Sequence, residues 1–107
     1  MKVYQLKLLD LNIVLDPVFN TIDAARLFKN KYKGRRMEIL EKTLEPSNDM
    51  NYIYRILTTD VDGSYLEEEV FSSIESSFRI LKNNQKIVKE NIINLNTFKY
   101  VIEDVQW

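Results

Sequence analysis

In 107 residues the chain has no cysteine and no histidine. The first absence excludes disulfides, a thiolate nucleophile and zinc held by thiolates, and the second removes imidazole metal sites together with the Ser-His-Asp and Cys-His catalytic systems. Glycine and proline occur only twice each, and the segment 10–20, which follows the first strand-like run, has no glycine at all. A glycine-rich cradle for phosphate is therefore missing there. No uncharged run approaches the ~20 residues a membrane-spanning helix needs. The apolar stretch "VYQLKLLDLNIVL" is interrupted by Lys7 and Asp10 and is not followed by a small-residue cleavage site, so it reads as neither a span nor a signal peptide. Strong charge of either sign is lacking too. Fifteen cations stand against 16 acids, net −1, which gives no global field toward nucleic acid or an anionic membrane. The expectations are a reducing cytoplasm, no membrane contact and no cofactor.

What is present is globular in character: 45% of residues are hydrophobic and 29% charged. That length and composition predict a single domain over 1–107 with one modest core. Ile, Asn and Lys are abundant while Ala, Gly and Pro are scarce, the usage that AT-rich codons produce. A low-GC bacterium, its phage or a plasmid is the expected origin.

Alternation of Tyr4, Leu6 and Leu8 against Val3, Gln5 and Lys7 predicts a half-buried strand over 2–9, with the first group facing inward. After Pro17, Thr21 is a good N-cap, Asp23 suits a first turn, and Ala24, Ala25, Phe28 and Tyr32 recur at helical spacing up to a stop at Gly34. "RRMEILEKTL" and "YIYRILTTD" are β-prone and flank the turn-rich "EPSNDMN", which predicts a hairpin.

"TTDVDGSYLEEEV", Thr58 to Val70, admits three readings. Asp60, Asp62, Gly63 and Glu69 fall at calcium-loop positions, but Thr58 stands where the first acid belongs and a β-prone run precedes it in place of a helix. A hairpin would use Asp60 and Gly63 as the first and fourth turn residues and set Arg55 opposite Glu69. A helix would align Leu66, Val70, Ile74, Ser77, Phe78 and Leu81 in one stripe, with Ser64 and Glu67 as a capping box and Arg79 and Lys82 at its negative end. The length of the stripe favours the helix, over Tyr65 to Lys82. "QKIVKENIINL" and "TFKYVIEDV" complete the chain as strands around an Asn-rich turn. The resulting order, β-α-β-β-α-β plus an extra C-terminal strand, predicts a two-layer α+β ferredoxin-like (split βαβ) sandwich.

On such a frame Asp10, at the end of the first strand in "MKVYQLKLLD", resembles the acid of small CRISPR-associated dimeric nucleases. That resemblance implies a metal-dependent nuclease in which Asp10 helps bind the metal. The plain alternative is an acid that ends a strand. RNA-recognition motifs offer a looser comparison, since "VYQLKL" and "YIYRIL" lack the glycine and paired aromatics of that family and Tyr4 faces inward.

"KNKYKGRR" supplies Lys29, Lys31, Lys33, Arg35 and Arg36 around Tyr32, which suits phosphate contacts with a base stacked on the ring. Its plain alternative is a solvated helix end with Tyr32 in the core. The 52–60 run is apolar on both faces, with Tyr52, Tyr54 and Ile56 on one and Ile53 and Leu57 on the other, so one group needs cover from the C-terminal strands, a second copy or a partner. Tyr100 and Trp107 suit either answer. The leading expectation is a non-enzymatic protein-binding module or small regulator, dimeric, of phage or mobile-element origin and an inhibitor of a host system. Its interface would be Tyr52, Tyr54, Ile56, Tyr100 and Trp107, with Glu67, Glu68, Glu69 and Glu75 as a secondary surface. Nucleic-acid binding through Lys29 to Arg36 is the alternative, and the nuclease a third.

Overall fold

A computed structural model describes residues 1–32, 34–46 and 51–93. The fold is mixed α+β, with two three-stranded antiparallel sheets and two helices among the described residues, and the chain divides into two units.

The first unit covers Lys2–Thr43 and takes in Ile92 and Ile93. It contains β1 (Lys2–Leu8), β2 (Ile13–Val14), α1 (Ile22–Lys29) and β3 (Met37–Thr43). β1 lies between β2 and β3, paired from Lys2↔Thr43 to Leu8↔Met37 on one side and at Lys7↔Val14 and Leu8↔Ile13 on the other. Asn12, in the connection from β1 to β2, takes φ 53°, a left-handed conformation that asparagine tolerates better than most residues. Farther along, Phe19 exchanges backbone hydrogen bonds with Tyr4 at 2.8 Å in both directions and forms a parallel bridge to Ile93.

The predicted start of α1 is where it was expected: Thr21 is extended and its hydroxyl accepts from the Ala24 N–H at 3.2 Å. Its apolar positions close the core as their spacing requires. Leu6, Phe19, Ala24, Ala25, Phe28 and Met37 are buried together, with Tyr4, Leu8, Leu15, Tyr32, Ile39 and Ile93 packed around them. α1 is shorter than the spacing predicts, ending at Lys29 with Asn30 as C-cap.

The second unit covers Leu44–Asn91 and takes in Met1. It contains β4 (Tyr52–Asp60), β5 (Gly63–Phe71), α2 (Ile74–Phe78) and β6 (Gln85–Asn91), with sheet order β5-β4-β6. Here the sequence reading needs correction. Tyr65 to Lys82 is not one helix: its first seven residues are strand, laddered to β4 from Asp60↔Gly63 to Tyr54↔Phe71. The hairpin reading of the Asp60–Gly63 turn is the one realised. Gly63 sits at φ 133°, where a side chain would be strained, and the Asp60 carboxylate accepts from the Asp62 N–H at 2.8 Å. A register shift between Arg55 and Leu57 then sets Arg55 opposite Val70, not Glu69.

The misreading has a physical cause. Leu66 and Val70 are four residues apart, a separation that returns to the same face in a helix and in a strand alike. Of the stripe only Ile74, Ser77 and Phe78 belong to a helix, started by Ser73, whose hydroxyl accepts from the Ser76 N–H at 3.3 Å. A second correction concerns the β3–β4 connection: these strands do not pair as a hairpin but lie in separate sheets. The single ferredoxin-like sheet is therefore not found among the described residues, and the proposed extra C-terminal strand lies outside them.

Candidate interaction surfaces

β4 carries the buried polar chemistry of the second unit. Arg55 is 1% exposed. Its Nη2 donates to the Glu67 carbonyl at 2.9 Å and its Nη1 lies 3.7 Å from Glu90 Oε2, so the bulged strand and β6 both serve one guanidinium. On the other face of β4, the Thr58 hydroxyl donates to Glu67 Oε1 at 2.7 Å and accepts from Gln85 Nε2 at 3.0 Å. The register shift in β5 thus lets Glu67 serve both faces, its carbonyl on one and its carboxylate on the other. These contacts fix three strands to one another. They also occupy Glu67, one of the four acids assigned to a helical surface. Glu67, Glu68 and Glu69 stand on β5, and only Glu75 is helical.

Of the expected interface, Ile56 is 2% exposed and belongs to the core, while Tyr52 and Tyr54 are half-buried. The Lys89 ammonium lies over the Tyr52 ring, 4.1 Å from its centroid, so that ring is engaged within its own sheet. Tyr100 and Trp107 lie outside the described residues.

In the basic segment Lys31, Arg35 and Arg36 are exposed and Lys29 is half-buried; Lys33 lies outside the described residues. Tyr32 does not stand out from these cations. Its ring packs on Phe28 at 5.3 Å, at the edge of the first core, and burial pushes its phenol above the ordinary value of 10.0. The ring is thereby engaged with the edge of the first core. Asp10 is exposed in the turn after β1, and no group of three acids suited to a metal occurs among the described residues.

The chain matches no family model, no curated protein and no solved structure.

The surface that sequence reasoning missed is on α2. Ile74, Phe78 and Ile80 are 40%, 60% and 47% exposed, although the amphipathic stripe assigned the first two to the core. Ser77 is the α2 residue that is buried, its hydroxyl donating to the Ile74 carbonyl at 2.7 Å. A usable signal was present in the composition of the segment. "SSIESSF" sets two apolar residues among serines, too few for a helix that must cover a sheet on its apolar face.

Charge also separates between the units. Lys2–Thr43 contains nine cations and five acids, and Leu44–Asn91 contains five cations and nine acids, +4 against −4 in a chain whose total is −1.

Proposed function

We propose that this protein is a non-enzymatic protein-binding module, a small regulator that docks through α2 and the turn after it. The observation that carries this reading is the exposure of Ile74, Phe78 and Ile80 within seven consecutive residues, on an element whose inward position is taken by serine. Single exposed apolar residues are ordinary, but a cluster of three with an aromatic at its centre has the make-up of an interface hot spot rimmed by polar groups. Glu75 and Arg79 supply such a rim. AT-rich residue usage suits a phage or mobile element, and in that setting the partner would be a host component that the module inhibits.

A second reading, nucleic-acid binding, draws on the +4 charge of Lys2–Thr43 and the exposed Lys31, Arg35 and Arg36. With Tyr32 packed on Phe28 at the edge of the core, such binding would rest chiefly on charge.

Both readings meet in one experiment. The protein and its Phe78→Ser variant are used to capture partners from the native host, and both are titrated with a labelled single strand across a salt series. The expected result is a captured protein that disappears with Phe78→Ser and no nucleic-acid binding at low salt. Salt-steep binding of the strand, unaffected by Phe78→Ser and lost in a K31E/R35E/R36E variant, would reject the first reading for the second.

A further inference from the structure

β6 is an edge strand among the described residues, and of the devices that usually keep an edge unpaired it carries only two exposed lysines, Lys86 and Lys89. It runs seven residues without proline or glycine, and its register against β4 is continuous from Thr58↔Gln85 to Tyr52↔Asn91. Edge strands are otherwise blunted by shortness, bulges, proline or outward lysines. Of its two lysines, Lys89 is drawn sideways over Tyr52. The other edge of the same sheet, β5, is interrupted by a register shift and carries three consecutive acids, Glu67 to Glu69.

The direction of its backbone groups follows from the ladder. The Thr59 N–H donates to the Asn84 carbonyl at 2.9 Å, so in the antiparallel pattern Lys86, Val88 and Glu90 turn their backbone groups to β4. Ile87, Lys89 and Asn91 turn theirs outward, as Gln85 does its carbonyl, while the Gln85 N–H donates to the Lys82 carbonyl at 3.1 Å. A strand that adds to this edge must present the same outward set in the opposite direction.

We propose that the strand is β6 of a second copy, paired antiparallel about a two-fold axis at Val88, which joins two three-stranded sheets into one of six strands. The sequence is self-complementary in that register. Lys86 stands opposite Glu90 of the partner subunit, twice per dimer, and Val88 meets the partner's Val88 on the same face. On the other face Gln85 faces the partner's Asn91, amide to amide, while Ile87 and Lys89 interleave. In this register Ile87 and the partner's Lys89 exchange backbone hydrogen bonds, twice per dimer, and the Asn91 N–H meets the carbonyl of the partner's Gln85, whose own N–H stays on the Lys82 carbonyl. Glu90, 3.7 Å from the buried Arg55, would then bridge the guanidinium of its own chain and an ammonium of the other. The interaction is separate from the α2 surface, so either can fail without the other.

The test uses two measurements on the whole chain. Sedimentation over micromolar to submillimolar concentrations should show the mass rising from 12.7 kDa to twice that value. Lys86→Glu, at an exposed position, turns two attractive cross-strand pairs repulsive and should weaken association about tenfold. Since the natural chain has no cysteine, V88C introduces one thiol per copy. At a pair whose Cα atoms lie about 4.5 Å apart it should form a disulfide under mild oxidation at least about tenfold faster than K86C, whose two copies lie four residues out of register. A monomer at all concentrations overturns the proposal. So does a dimer indifferent to Lys86→Glu, or one in which V88C links no faster than K86C.

Discussion

In Lys2–Thr43 the core is built from Leu6, Phe19, Ala24, Ala25, Phe28 and Met37, with Gln5 the one buried polar side chain among the described residues of that unit, whereas in Leu44–Asn91 the largest fully buried side chain is an arginine. The helices explain much of the contrast. α1 has eight residues and sets Ala24, Ala25 and Phe28 inward, enough to close an apolar layer over β1 and β3. α2 has five, with Ser77 as its buried residue, and polar groups fill where apolar ones are missing: Arg55, Thr58, Ser72 and Ser77 are all buried in the second unit. Outside, the order of charge is the reverse, since the unit with an apolar core is cationic and the one with a buried cation is anionic. A buried guanidinium needs acceptors from its own strands, and Glu67 and Glu90 supply them. Burial of one cation therefore fixes an acid, Glu90, on β6 and a backbone carbonyl, that of Glu67, on the bulged β5.

The comparison predicts unequal sensitivity to truncation. Phe28 touches Phe19 at 5.4 Å and Tyr32 at 5.3 Å between ring centroids, so Phe28→Ala removes a ring from the centre of an apolar layer and should cost about 3–5 kcal/mol in denaturant unfolding. A loss below about 1 kcal/mol would show that this core is not the tightly packed one described. Arg55→Ala should follow, at about 2–4 kcal/mol, from a cavity together with the lost hydrogen bond to the Glu67 carbonyl. Arg55→Met separates these contributions. It keeps most of the volume and removes the charge along with its desolvation, and should recover at least half of the loss. If methionine is as damaging as alanine, the second unit depends on the ion pair more than on filling, and the contrast with the first unit sharpens.

How far the fold was legible depended on whether local and long-range signals agreed. The first unit was readable because Thr21, Asp23, Ala24, Ala25 and Phe28 all specify a helix at one phase, and Tyr4, Leu6 and Leu8 specify one strand face, but β1 is not the half-buried strand its alternation predicts, since Val3 and Gln5 on the opposite face are fully buried. β4 was readable in extent, from Tyr52 to Asp60, for its β-branched and aromatic content. Sheet membership was not, because whether β3 pairs with β4 or with β1 is decided by long-range pairing that leaves no mark within either segment. In β5 the signals conflicted: a four-residue apolar step suits both periods, and Glu67 to Glu69 resemble a helical first turn as well as a bulged strand. The decisive local feature was Asp62-Gly63, whose conformation a hairpin needs and a helix start does not. At the candidate surfaces the exposed cations were legible from composition, while the exposure of Phe78 depended on how long α2 is.

The smallest effect tests the border between core and basic surface in the first unit. Tyr32 could serve either, and its ring against Phe28 assigns it to the core. Burial favours the neutral phenol, so its folded pKa lies above the unfolded 10.0. The sign of the linkage follows from proton counts: above 10.0 the unfolded chain has released this proton while the folded chain retains it, so stability is fully present below that pH and declines as pH rises toward the folded value. Denaturation midpoints measured from pH 9 to about 11.5 should therefore fall less steeply in Tyr32→Phe than in the natural chain. The phenolate absorbance of the folded protein should also lose a component that titrates above 10.0. A component that titrates at or below 10.0 would place the phenol in water beside Lys31 and Arg35, and would return to the basic surface the aromatic that stacking on a base requires.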